Sequence, residues 1–270
     1  MTIYANVAGM FYPADPKELR HLIDKYLAKA SAKANLVVPK AIIAPHAGYV
    51  YSGIVAASAF ACLSQAQSTI TRVVVVAPAH QYSVNGVATT NAKFFATPLG
   101  TIPIDHDAVK EVISLPKVKV IEDAFYNEHA IEVELPFLQT LLDSFYLVPL
   151  LAGFTTPEIV ANVLEELWGD KETLIVISSD LSHYNSYETA KIMDNKTAEA
   201  ILALDQQNIE AEQACGSIGI RGLLMVAAKK QLHPICVDLR NSGDTAGSKD
   251  SVVGYGAFHF LETNYNMLSI

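Results

Sequence analysis

Only three cysteines occur among the 270 residues, and no two form a CxxC pair. That argues against a disulfide framework and against a zinc knuckle. Charge is scarce as well: 17% of residues are charged, with 19 Lys and Arg against 28 Asp and Glu, a formal net charge of −9. Without a basic cluster to neutralise phosphates, no nucleic-acid partner is expected. No apolar run reaches the roughly 18 residues of a membrane span, so no membrane partner is expected. The opening "MTIYANVAGMFYP" has neither a basic n-region nor an apolar h-region, and with the unpaired cysteines this points to a cytoplasmic protein.

Hydrophobic residues make up 51% of the chain, enough for a well-buried enzyme-like globule. "ADPKELRHLIDKYLAKAS" predicts an amphipathic helix, with Asp15 as N-cap, Pro16 at the first helical position and Leu19, Leu22, Ile23 and Leu27 on one face. The small-residue run "AKASAKAN" reads as its end and a short linker. Continuous apolar runs follow at "AIIAP", "RVVVVAP", "FYLVPLL", "TLIVISS" and "PICVDL", the pattern of strands buried on both faces. Helical patterns separate most of them. "NAKFFATPLGTIPID" predicts a hairpin turning near Pro98–Gly100, and "SVVGYGAFHFLE" a terminal strand. The expected architecture is α/β: a single layered domain, residues 1–270, around a mostly parallel, mixed central sheet.

Ligands of open α/β sheets bind beyond the carboxyl ends of the strands. His46 follows "AIIAP" and His80 follows "VVVVAPA", each after a proline that ends the ladder. Asp180 and His183 follow "LIVISS", and "ICVDLRNSGD" delivers Asn241, Ser242 and Asp244. This repeated placement makes His46, His80 and His183 candidates for one site. His21, His106, His233 and His259 read as structural or surface residues. Cys62 and Cys236 read as core, and Cys215, before a helix start, is likewise assigned to packing. In "NEHAIEVELPFLQ", Asn127 is expected to cap a helix whose first turn holds Glu128, His129 and Glu132, with His129 placed as an acid/base. Gly48 and Gly53 leave amides near a helix start that could hold an anion. Tyr49, Tyr51, Tyr82 and Tyr184 would suit a pocket for a planar ring.

The motifs "GMFYPAD", "APHAGYVYSG", "APAH", "EHAIEVELPFLQ", "SSDLSHY", "ACG" and "VVGYGA", in this order over nearly the whole chain, resemble the Memo family. Its prokaryotic members are known as AmmeMemoRadiSam system protein B. The family is similar to class III extradiol dioxygenases of the LigB type, which hold a non-haem iron(II) with two histidines and a carboxylate. The resemblance implies His46 and His80 as metal ligands, Asp180 and His183 as the site's second Asp–His pair, and His129 in the "EH" motif. Animal members carry a cysteine as third ligand in the segment before the last strand. Here that segment, "RNSGDTAGSKDS", has none, and Asp244 is the nearest competent replacement, giving an iron(II)-type donor set. The implied function is a metal-dependent oxidoreductase of the dioxygenase type acting on a small, aromatic or otherwise bidentate substrate. Fe(II) is the expected cofactor, with Zn or Cu as alternatives. His183, Asp180 and His129 are the expected catalytic residues. Two alternatives stand beside it: a divalent-metal hydrolase at the same ligands, and a peptide- or protein-binding module that uses the old cleft. The resemblance also implies radical-SAM and AMMECR-type proteins as pathway partners.

Overall fold

The computed structural model describes residues 1–31 and 37–262. The linker expected after the first helix falls largely on residues 32–36, outside the described residues. In chain order the first strands are β1 (Thr2–Ile3), β2 (Ala41–Ala44), β3 (Arg72–Pro78), β4 (Val87–Thr89), β5 (Phe94–Thr97) and β6 (Gly100–Pro103). They are followed by β7 (Val118–Val120), β8 (Tyr146–Ala152), β9 (Thr173–Ser178), β10 (His183–Asn185), β11 (His233–Asn241) and β12 (Val252–Leu261). The helices are α1 (Pro16–Ser31), α2 (Tyr49–Phe60), α3 (His106–Ile113), α4 (Leu135–Leu141), α5 (Pro157–Glu166), α6 (Tyr187–Leu202) and α7 (Ser217–Lys229).

The fold is the layered α/β arrangement that the apolar runs predict. A nine-stranded mixed sheet runs β10-β12-β2-β9-β3-β8-β4-β7, with β11 paired on β12. Its centre, β2-β9-β3-β8, is parallel, while β12 and β4 flank it antiparallel. Val73 to Val76 of β3 are all sealed from solvent, because helices cover both faces and β-branched side chains fill a pleated surface well. Burying one such side chain is worth roughly 1.5–3 kcal/mol. Helices α1, α2 and α4 pack together, and α7 lies with α5 and on β3 and β9. The hairpin forms as predicted, with Thr97 opposite Gly100, and joins β1 in a small separate sheet. Asp15 caps α1 as expected, its Oδ1 accepting from the N–H groups of Lys17 and Glu18. No helix among the described residues is long and apolar enough to cross a membrane.

One element starts later than the sequence suggests. Asn127 takes a left-handed backbone, φ 59°, so it forms a turn and caps nothing. The helical segment begins only at a 3-10 turn, Glu132–Glu134, which runs into α4. Glu128 and His129 therefore sit in the approach to the helix, free to face the ends of β2 and β3.

The chain before α1 is a strap fastened across this approach. The buried Glu132 accepts from the N–H of Asn6 at 2.5 Å, the N–H of Val7 at 3.0 Å and the hydroxyl of Tyr12. The Phe11 carbonyl accepts from the N–H of Tyr49 at 2.7 Å. Removing an acceptor leaves each buried donor to bear its own desolvation, about 1–3 kcal/mol. Glu132→Ala should therefore lower the unfolding free energy by about 3 kcal/mol or more in urea titration. Tyr12→Phe, which deletes one partner only, should cost about 1 kcal/mol. Equal losses in the two variants would mean that Glu132 does not hold the strap.

Candidate metal centre

Strands β2 and β9 are parallel neighbours, with Ala44 level with Ser178, and the segments leaving the two strands are tied together. The Asp180 carboxylate accepts from the backbone N–H of His46 at 2.9 Å. His46 Nδ1 meets Ser178 Oγ at 2.7 Å. Pro45 adds no N–H, so the chain leaves the ladder and its next side chain points past the sheet edge. From β3, His80 is fixed twice by Glu128, through its N–H at 2.6 Å and its Nδ1 at 3.0 Å. The same carboxylate accepts from the N–H groups of His129 and Ala130. Burial works to raise the Glu128 carboxyl, but these bonds prevail and hold it below the usual carboxylate range.

Three imidazoles consequently form a triangle. His46 lies 5.4 Å from His80 and 5.6 Å from His129 between ring centroids, and His80 stacks on His129 at 5.2 Å. Phe11 of the strap presses its edge on His129 at 4.9 Å. Burial lowers the pKa of His46, His129 and His183, and in His46 the neighbouring imidazoles add to it. All three are thus neutral near pH 7, the form in which a ring nitrogen can bind a metal or accept a proton.

Cys215 is more than the packing residue that its sequence context suggests. Its Sγ lies 3.4 Å from His46 Nε2. The donor atoms of His46, His80 and Cys215 all fall within 4.8 Å of one another. Donors around one tetrahedral zinc-like ion, bound at about 2.0–2.3 Å, stand about 3.5 Å apart, so the trio fits a single ion after small adjustments. Both histidines have Nδ1 engaged by a neighbour, which leaves Nε2 for the ion, as metal-binding histidines usually do. Burial and the nearby Asp180 push the Cys215 thiol up to about 12, a tendency that a bound cation reverses. Gly216 makes the approach possible: a Cβ there would lie 2.6 Å from Ser179 Cβ and 2.8 Å from the Ser178 carbonyl. The motif "ACG" is visible in the chain, but no local pattern says that a helix start packs this tightly on a strand end.

Asp244 lies elsewhere. Its carboxylate accepts from the Asn241 N–H at 3.0 Å, closing a capping box, and from the Tyr187 hydroxyl at 2.6 Å. It faces a different pocket, with Asp238, Arg240 and Tyr26, and the structure does not bring it to the histidines. Asp180 stays beside the histidines. It holds the backbone of His46 and Ala47, and burial raises it to about 7.

The histidines open on a cavity of about 750 Å³, lined by His46, His80, His129, Asp180 and His183. Ser242, just past the end of β11, and Tyr51, Tyr184 and Tyr255 also line it, with Phe11 of the strap. Tyr49 is not part of it: its hydroxyl donates to the Val133 carbonyl inside the core. Tyr82 borders a second cavity of about 250 Å³, which contains Cys215 and shares His80 with the first. The three donors therefore sit where two cavities meet. Near Gly48 the N–H groups of His46, Tyr49, Tyr51 and Ser52 are taken by Asp180, Phe11 and the Gly48 carbonyl, and Gly53 makes room for the Tyr26 ring. His259 is structural, bonded to the Ala59 carbonyl at 2.7 Å.

A family model described as "Memo-like protein" matches residues 4–259. Similar chains include a MEMO1 family protein of Sulfolobus acidocaldarius, 34% identical over 94% of this chain and 97% of its own. Another, from Aquifex aeolicus, is 32% identical over 94% and 97%. Among solved structures, an uncharacterized protein from Escherichia coli K12, JW3007, is similar in fold with a TM-score of 0.55 and 14% identity. It covers 80% of this chain and 98% of its own.

The geometry separates Cys215 from Asp244 as third donor. Cys215→Ala should weaken binding of zinc or iron(II) by about 10–100-fold or more. Asp244→Ala should cost about 1 kcal/mol of stability through the lost cap and leave the affinity as in wild type. Competition titrations with a chelator measure both, and the reverse ranking would return Asp244 to the site.

Proposed function

The chain belongs to the Memo-like family, and we propose that it is a metal-dependent oxidoreductase acting on a small, ring-bearing substrate. The observation that carries this reading is the convergence of His46, His80 and Cys215 beside a cavity walled by histidines and tyrosines. Iron(II) is the proposed ion. Imidazole suits it, while the thiolate adds copper(I) and zinc as competitors. When bound, it would supply redox chemistry with O₂ and Lewis acidity toward a bidentate substrate.

The rest falls to the protein's own groups. His129 and His183 are uncharged and line the cavity, so either ring can take a proton from a substrate hydroxyl. Glu128, 3.5 Å from His129 Nδ1, steadies the imidazolium that results. Tyr51 and Tyr184, both exposed at this cavity, would stack on a planar ring. Phe11, edge-to-face with His129, helps to keep that ring in place. A cytoplasmic setting, where reducing conditions keep Cys215 a free thiol, belongs to the same reading, as do pathway partners of radical-SAM and AMMECR type.

A zinc-dependent hydrolase is the second reading, favoured by the thiolate, since two imidazoles and one sulfur also suit zinc. Protein purified anaerobically and assayed for metal content and O₂ uptake over a panel of catechols distinguishes them. Bound iron with substrate-dependent O₂ consumption is the expected result. Zinc without O₂ uptake would replace it with the hydrolase, and a chain that retains no metal would end both. Loss of the proton-transferring histidine should slow turnover by about 10²–10⁴-fold. If His129→Gln and His183→Gln both turn over like wild type, neither ring moves the proton.

A further inference from the structure

Beneath His46 lies a hydroxyl with three partners. Ser178 Oγ is 2.7 Å from His46 Nδ1, 2.6 Å from the Ala130 carbonyl and 2.7 Å from Glu134 Oε1. Ser178, Ala130 and Glu134 are sealed from solvent, and His46 nearly so. A serine hydroxyl has one hydrogen to give and two lone pairs to accept with. The Ala130 carbonyl can only accept, so it takes the hydrogen. The other two contacts are hydrogen bonds only if both partners donate. That requires a proton on His46 Nδ1 and a proton on Glu134 Oε1. With Glu134 ionised, one hydrogen would have to serve two acceptors, and a buried charge would stand uncompensated.

The surroundings of Glu134 agree. Its other oxygen, Oε2, has no hydrogen-bond partner. The ionisable groups that act on it or feel it are Asp180 and Tyr49, an acid and a phenol, neither of which can neutralise a carboxylate. We propose that Glu134 is a permanently protonated carboxylic acid which, through Ser178, acts as the positioning residue for His46. It fixes the Nδ1–H tautomer and turns the unprotonated Nε2 toward Cys215. Burial, and secondarily the nearby Asp180, push its carboxyl well above the usual range, in the same direction.

The inference deepens the metal reading by saying which nitrogen the ion is offered, but its test needs no ion. In metal-free protein, nitrogen-15 spectra should show His46 with a protonated Nδ1 and a bare Nε2. At about pH 9, where Asp180 with its value of about 7 is ionised, infrared spectra should retain the carbonyl stretch of a buried carboxylic acid. That band should vanish in Glu134→Gln, while the tautomer persists, because the carboxamide N–H donates to Ser178 in the same way. Ser178→Ala should mix the tautomers and weaken metal binding by about 10–100-fold. An Nε2–H tautomer in the wild type, or no carboxylic acid band lost with Glu134→Gln, overturns the proposal. Should the expected spectra be found in a chain that binds neither zinc nor iron, the metal reading fails and the positioning role stands.

Discussion

The parallel pairing of β2, β9 and β3 is the constraint on which the rest of the molecule depends. In register, Ile43 stands beside Ile177 and Val76 beside Ile177 on its other edge, so three strands end at one level. Each then hands over to a different device. Pro45 breaks the ladder directly before His46, β3 stays paired through Pro78 and Ala79 before it reaches His80, and β9 passes through Ser179 to Asp180. Because parallel strands need crossovers, helices must cover both faces, and α7 returns to place Cys215 against the same edge. The trio is thus a consequence of sheet register, closed by the glycine that lets α7 approach.

Buried acids then stiffen what the register brings together. Glu128 clamps His80, Asp180 clamps the backbone of His46, Glu132 fastens the strap that bears Phe11, and Glu134 supports Ser178. Burying four carboxyls is costly unless each is bonded or neutral. Here backbone N–H groups meet three of them, and protonation meets the fourth. Such a frame holds side chains in one rotamer, which a metal site needs more than it needs additional stability.

Much of this is legible in the chain. Runs such as "RVVVVAP" announce buried strands because β-branched residues without polar alternation fit little else, and the histidines that follow two of these runs announce the site because strand ends converge at one edge. Tertiary geometry decides the rest. Asn127 and Asp244 both carry ordinary capping chemistry, yet a left-handed turn removes the first from its helix and a capping box turns the second away from the histidines. Cys215 resembles packing because nothing local reveals that Gly216 allows a helix start to touch Ser179. Tyr49 resembles a pocket wall and lies in the core, since along the helix only an angle separates it from Tyr51. Glu134 reads as part of an apolar helix, and its pairing with Ser178, 44 positions away, has no sequence signature.

Whether one ion is held by two imidazoles and the thiolate of Cys215 is decided by X-ray absorption on protein loaded anaerobically with a single equivalent of zinc. One sulfur neighbour at about 2.3 Å together with imidazole scattering is the expected spectrum, the sulfur being lost in Cys215→Ser. A shell of nitrogen and oxygen alone in the wild type, or a sulfur that survives the substitution, would contradict that assignment.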